Sequence, residues 1–211
     1  MLLTVVDYGV GNLRSIAKSI EKANSDNNLN YSVRVSSDVN DVKKSDKIVL
    51  PGQGSFKACK SGIDKIKGLQ EVLDDNVLVK KKPIYGICAG MQLFATTGHE
   101  EEKTPGLNWI PGEVIKLKLK SSMFKIPHMG WNELKIENVS KVFKDVNNKN
   151  HAYFIHSYEF IPNDKKTVSI TTDYGKDVIA AVSFENIYGS QFHPEKSQNT
   201  GIKILSNFLN L

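Results

Sequence analysis

The chain has 211 residues, 40% of them hydrophobic, and a formal net charge of +5, enough to bury roughly 70% of its extended surface around one core. Its lysines are scattered, with only short clusters (Lys80-Lys81-Lys82, Lys116-Lys118-Lys120, Lys165-Lys166) that lack interleaved aromatics, which argues against a nucleic-acid footprint and leaves at most weak steering of anionic substrates. Two cysteines without metal-ligand spacing, no signal-like opening and no bilayer-length apolar run give the expectation of one cytoplasmic domain over 1–211, with no metal, cofactor or membrane contact.

In chain order, Leu2 to Val6 reads as a strand, and Asp7-Tyr8-Gly9-Val10-Gly11-Asn12 leads into a helix from Leu13 to about Ala23, with Asn12 as its N-cap. Arg14 stands where a dinucleotide loop needs its third glycine, so the pair Gly9 and Gly11 reads as a tight βα turn. A strand over Tyr31 to Val35, a short helix over Asp38 to Lys44 and a buried strand over Lys47 to Leu50 follow. The last stops at Pro51-Gly52-Gln53-Gly54-Ser55-Phe56, a glycine loop whose backbone N–H groups suit an oxyanion. Two helical pieces with a break near Lys67-Gly68 carry the chain to about Val79.

The stretch Pro83 to Gln92 is the centre of the pattern: an apolar strand (Ile84 to Ile87), then Cys88, then a helix from Ala89, with glycines two residues to either side of the cysteine. This is a nucleophile elbow, a strained strand-to-helix turn that projects its side chain from the end of a sheet. An ordinary thiol is only about 3% thiolate at pH 7. A helix N-terminus contributes about 0.3–1 kcal/mol, too little to activate it alone. The chain must therefore supply a base.

Beyond Thr104 the texture shifts to turns and shorter strands: Glu113 to Leu119, a compact turn at Pro127-His128-Met129-Gly130-Trp131-Asn132, and strands over Tyr153 to Tyr158, Val168 to Thr172, Val178 to Phe184 and Ile187 to Phe192. An amphipathic helix from Thr200 closes the chain. Repeated βα units in the first half imply an open, mostly parallel α/β sheet with helices on both faces, extended by antiparallel strands in the C-terminal half. Of five histidines, His193 follows the last strand in Gln191-Phe192-His193-Pro194-Glu195, where extended chain would turn Glu195 to the same side. Cys88, His193 and Glu195 thus read as nucleophile, base and orienting carboxylate. His156 reads as either a core or a site-lining residue, and His128 as a turn residue. His99 and His151 read as surface groups, Cys59 as packing, and Trp109 and Trp131 as core or interface anchors.

With these segments in hand, the chain resembles the class-I (triad) glutamine amidotransferases, and among them the glutaminase subunits of imidazole glycerol phosphate synthase. The elbow and the His-x-Glu ending are class-wide. The opening Asp7 to Ser15, the His128-to-Asn132 segment and Phe192 to Ser197 carry the narrower likeness. The resemblance implies a flavodoxin-like fold, hydrolysis of L-glutamine, and ammonia passed through a tunnel to a (β/α)₈-barrel cyclase subunit in a heterodimer. That subunit would make imidazole glycerol phosphate and AICAR phosphate in histidine biosynthesis. It implies an oxyanion hole at Gly52, Gln53, Gly54 and Ala89, glutamine binding at Gln92, Ser157 and Tyr158, and Asn12, Trp131 and Tyr153 facing the cyclase. Gln53 and Ala89 depart from the family pattern, which has a small apolar residue and a leucine there. Rival expectations are the same glutaminase serving another acceptor, such as a surface-sugar amidotransferase, a cysteine hydrolase of the small-chaperone kind, and an inactive scaffold. Ala89 speaks against the hydrolase, which places histidine after the cysteine, and the intact triad against the scaffold.

Overall fold

The computed structural model describes residues 1–119 and 123–211; Lys120 of the second lysine cluster lies outside them. The first half alternates strands and helices: β1 (Leu2–Val6), α1 (Leu13–Asp26), β2 (Ser32–Ser36), α2 (Val39–Lys44), β3 (Lys47–Leu50), α3 (Phe56–Lys65), α4 (Leu69–Asp74), β4 (Ile84–Ile87) and α5 (Ala89–Gln92). The second half holds β5 (Thr97–Glu100), β6 (Glu102–Pro105), β7 (Gly112–Lys116), β8 (His128–Glu133), β9 (Lys135–Ile136), β10 (His151–His156), β11 (Tyr158–Pro162), β12 (Val168–Asp173), β13 (Asp177–Phe184), β14 (Ile187–Ser190) and α6 (Gln198–Leu209).

The main sheet runs β2-β1-β3-β4-β14-β13-β12-β9. Its first five strands are parallel, while β13, β12 and β9 extend it antiparallel. The apolar strands β3 and β4 are buried along their whole length, as strands covered by helices on both faces must be. Successive residues feed opposite faces: Leu3, Val5 and Val49 pack with Ile16, Ile20 and Phe208 of α1 and α6. Val6, Ile48 and Leu50 pack with Phe56, Ile63 and Leu69 of α3 and α4. The caps follow the sequence signals, Asn12 accepting from Ser15 N, Asp38 from Asn40 N and Ser55 from Ala58 N. Gly68, at φ +82°, separates α3 from α4, and a π-helical turn (Asp75–Val79) completes the stretch.

A lysine is buried in this frame. Lys47 is 4% exposed, and its ammonium donates to the carbonyls of Phe208 (2.7 Å) and Leu209 (2.6 Å), capping the end of α6. Desolvation holds its pKa down to about 8.

Two segments differ from the sequence expectation. Pro127 to Asn132 is not a turn: β8 pairs antiparallel with β10, Trp131 opposite Tyr153 and His128 opposite His156, in a separate two-stranded ribbon. The expected strand from Tyr153 to Tyr158 breaks at Ser157, where the chain leaves the ribbon and joins, as β11, a four-stranded sheet ordered β11-β7-β5-β6. The hairpin β5–β6 had no distinct signal, because its strands are short and rich in charge.

Candidate active site

Three neighbouring parallel strands, β3, β4 and β14, deliver three loops to one edge of the sheet: the Pro51–Gly54 loop, the elbow and the His193 segment. That edge is where open α/β sheets bind ligands. Cys88 sits at φ +55°, ψ −115°, a strained conformation for a residue with a Cβ. It is held there by its N–H bonding to the Ser190 carbonyl at 2.7 Å. Glycine is required where the loop meets the elbow. A Cβ on Gly52 would lie 2.1 Å from the Gly90 nitrogen, and one on Gly90 would lie 2.0 Å from the Leu50 carbonyl oxygen. The glycine loop and the start of α5 are therefore in direct backbone contact. Because α5 is a single turn, its dipole acts over few peptides, and a base beside the thiol matters correspondingly more.

The imidazole that shares the cavity with the thiol and carries a carboxylate partner is His193. Its Nδ1 lies 2.8 Å from Glu195 Oε1, and the carboxylate side chain is only 1% exposed. The contact does not arise from extended chain, as the spacing suggested. His193 is instead the N-cap of a 3₁₀ turn, Pro194–Lys196, that folds Glu195 back under the ring. The segment is stitched to the ribbon by His193 N to Tyr153 O at 2.9 Å, and by Ser197 Oγ, which donates to His193 O at 2.6 Å and accepts from Tyr153 N at 3.0 Å. Burial pulls the imidazole pKa down, but the Cys88 sulfur and the Glu195 carboxylate more than offset it and push it up to about 9. The ring thus keeps its proton at neutral pH, the form that can donate to a leaving group. Sulfur, imidazole and carboxylate together make a unit for nucleophilic acyl transfer.

A cavity of about 320 Å³ opens over this unit, lined by Gly52, Gln53, Gly54, Cys88, Ala89, Gln92, Ser157, Tyr158 and His193 among others. The four expected oxyanion residues and the three expected glutamine-binding residues therefore share one space with the thiol. The two N–H bonds of the Gln92 amide are used, one to Tyr158 O (3.1 Å) and one to Gln191 Oε1 (2.9 Å), so its own oxygen is what remains for a ligand.

His156 both lines the cavity and belongs to the core, joining the two roles that its sequence context left open. Its Nδ1 is 2.8 Å from Tyr158 O, which can only accept, so Nδ1 carries the proton. His156 Nε2 must then accept from His128 Nδ1 at 3.1 Å, and His128 Nε2 from Asn132 Nδ2 at 3.3 Å. Both rings are neutral in this chain, and burial pulls them down to about 3 (His156) and about 4 (His128). His128, read as a turn residue, is thus the buried inner link between ribbon and pocket wall.

The residues expected at a partner lie outside the cavity. Trp131 is 49% exposed on the outer face of the ribbon, beside Met129 (57%), and its ring meets Tyr153 edge-on at 6.1 Å. Asn12 is exposed at the start of α1. His99 and His151 are at the surface. Cys59 is fully buried, its thiol pushed up to about 11 by desolvation. Four lining residues were not among the site candidates read from sequence: Glu100, Pro127, Ile155 and Lys196. Glu100 Oε2 accepts from Phe56 N, the first residue of α3, at 2.7 Å; in the sequence it is hidden within the run Glu100-Glu101-Glu102. The described residues contain no helix long and apolar enough to cross a membrane and no His, Cys, Asp and Glu cluster suited to a metal ion.

Comparison with known proteins identifies the family. The family described as glutamine amidotransferase class-I matches residues 4–211. The imidazole glycerol phosphate synthase subunit HisH of Pelagibacter ubique is 49% identical over 211 residues, covering 100% of both chains. That of Cereibacter sphaeroides is 41% identical over 210 residues, covering 99% of this chain and 98% of its own. Among solved structures, a putative GMP synthase protein from Thermoplasma acidophilum superposes with a TM-score of 0.71 at 19% identity, over 100% of this chain and 92% of that one. A glutamine amidotransferase gives 0.71 at 14% identity, over 99% of each. At such identities the two structures speak for the fold alone.

Proposed function

The chain belongs to the class-I glutamine amidotransferases, and within them to the HisH subunits of imidazole glycerol phosphate synthase; from that premise we propose that it is a cytoplasmic glutaminase that supplies ammonia to a cyclase subunit in histidine biosynthesis. The observation that carries the reading is that His193, bonded to the Glu195 carboxylate, lines the same cavity as Cys88.

In the proposed reaction, Cys88 reacts as the thiolate paired with the His193 imidazolium, and its Sγ attacks the side-chain amide carbon of L-glutamine. The C=O electrons move onto oxygen, which faces the backbone N–H groups of Ala89 and the Gly52–Gly54 loop; one such donor is typically worth about 100–1,000-fold in rate. The imidazolium gives its proton to the leaving nitrogen, ammonia departs and a thioester remains. His193 then takes a proton from water, the hydroxide adds to the thioester, and the thiolate is released as glutamate leaves, restoring its pair with the imidazolium. Glu195 holds the ring in the Nδ1–H form throughout. Gln92, Ser157 and Tyr158 hold the amino-acid end, and the Glu100 carboxylate, which faces the same cavity, suits its α-ammonium.

The partner reading draws on the ribbon, which presents Met129 and Trp131 as exposed apolar side chains and contributes Ile155 and His156 to the cavity wall. We assign Trp131, Tyr153 and Asn12 to that contact, and residues 1–211 to one domain. The test is co-purification with the candidate cyclase and assay with glutamine or ammonium. Cys88→Ala should abolish glutamine-dependent synthesis while leaving ammonium-dependent synthesis intact. Loss of both would refute a pure ammonia-donor role.

A further inference from the structure

Gln191 is fully buried, two residues before the base, and the glutaminase reading gives it no task. Its side-chain Nε2 lies 3.6 Å from Cys88 Sγ, and its Oε1 accepts from Gln92 Nε2 at 2.9 Å.

An amide can be turned over by 180°, so the direction of this chain has to be argued. It follows from one atom. The Tyr158 carbonyl oxygen cannot donate, and Gln92 lies 3.1 Å from it, so the NH₂ of Gln92 must face Tyr158. The second hydrogen of that NH₂ then points to Gln191, which must present its oxygen. The NH₂ of Gln191 is consequently left facing the sulfur. Its backbone is pinned as well, Gln191 N donating to Ala180 O at 2.8 Å. The same Tyr158 carbonyl also fixes the His156 tautomer, so two oriented relays share a single backbone anchor.

We propose that Gln191 is a further catalytic residue of the glutaminase reaction, donating a side-chain hydrogen bond to the Cys88 sulfur that favours thiolate over thiol and aims it into the cavity. A hydrogen bond to an anionic acceptor is markedly stronger than one to the neutral form, and the donor here is fully buried. The inference rests on the glutaminase reading for its purpose but can be tested without it.

The test is site-resolved alkylation of Cys88 by iodoacetamide in the full chain, measured from pH 6 to 10, with folding checked by circular dichroism. Gln191→Met keeps the volume and removes the donor. Its alkylation rate at pH 7 should fall roughly tenfold and converge on the parent's at high pH, where every thiol is ionised. An unchanged rate at pH 7 would overturn the proposal. So would a rate lowered equally at all pH values, which would mean blocked access. Gln191→Glu, the same shape without the donor, carries the same expectation and the same refuting results should the methionine variant not fold. If neither folds, Cys88→Ala decides: losing its acceptor should displace the Gln191 side-chain amide proton resonance, and an unmoved resonance would overturn the idea. The glutaminase reading fails by a separate sign, a parent protein whose Cys88 is not labelled by a diazoketone analogue of glutamine.

Discussion

Substituting Gly52→Ala probes the contact between the glycine loop and the elbow. The added Cβ would sit 2.1 Å from the Gly90 nitrogen, 2.5 Å from the Ala89 carbonyl carbon and 2.8 Å from the Ala89 Cβ, against ordinary contacts of 3.4–4 Å. Two of these neighbours are backbone, so no side chain can swing aside and the loop must retreat by more than 1 Å. Overpacking of that kind costs about 1–3 kcal/mol. At this chain length about 2–4 °C is lost per kcal/mol, so Tm should fall by roughly 2–12 °C. The larger effect is on chemistry: a displacement of about 1 Å at a positioned group can cost about 100-fold, in line with the loss of one oxyanion donor. The assay is glutamine hydrolysis by the chain in complex with the candidate cyclase, beside a thermal melt and Cys88 alkylation. Expected are a kcat about 100-fold lower, intact ammonium-dependent synthesis, and alkylation little changed because sulfur and imidazole are not touched. A variant within threefold of the parent kcat, with an unmoved Tm, would refute the idea that these backbones are held in contact.

Two further predictions concern pH and have opposite signs. His193 is pushed to about 9 from an ordinary 6.5, so the stability it confers is complete below about pH 6.5 and is lost as pH climbs through about 9. The contribution is on the order of 3 kcal/mol. The Tm difference between the parent and His193→Gln should accordingly shrink from pH 6 to pH 10, and a constant difference would contradict the assignment. Lys47, held down to about 8 from 10.5 by desolvation, is protonated more readily in the unfolded chain, so its contribution to stability rises between those two values. Lys47→Met should remove that rise in denaturant titrations at pH 8 and pH 10, and an identical pH trend in both proteins would count against a buried, charged lysine.

What the sequence disclosed was local. The elbow was readable because strand, cysteine and flanking glycines are contiguous, and the parallel half because each βα unit spans a few tens of residues with its own caps. The pairing of His193 with Glu195 was readable from His193-Pro194-Glu195, although the contact comes from a 3₁₀ turn. The illegible parts depend on partners remote in the chain. Pro127 to Asn132 carries turn residues, but pairing with β10 makes it a strand. The break at Ser157 is hidden inside apolar alternation, and reflects one chain segment joining two different sheets. Glu100 finds its helix N-terminus forty-four positions away, and the bond of Gln191 to the nucleophile crosses 103 positions. No window of sequence contains either pair.

The adjacency of β4 and β14 also has a bearing on biosynthesis. A ribosome delivers the elbow long before the imidazole, and a newborn chain lacking β14 presents Cys88 with neither base nor carboxylate nor the Ser190 carbonyl that anchors its turn. On the proposed mechanism the thiol is thus armed only once the segment through Glu195 has been made and the final parallel strand has slotted in. Half-made copies of the protein should be harmless to the cell's amide pool.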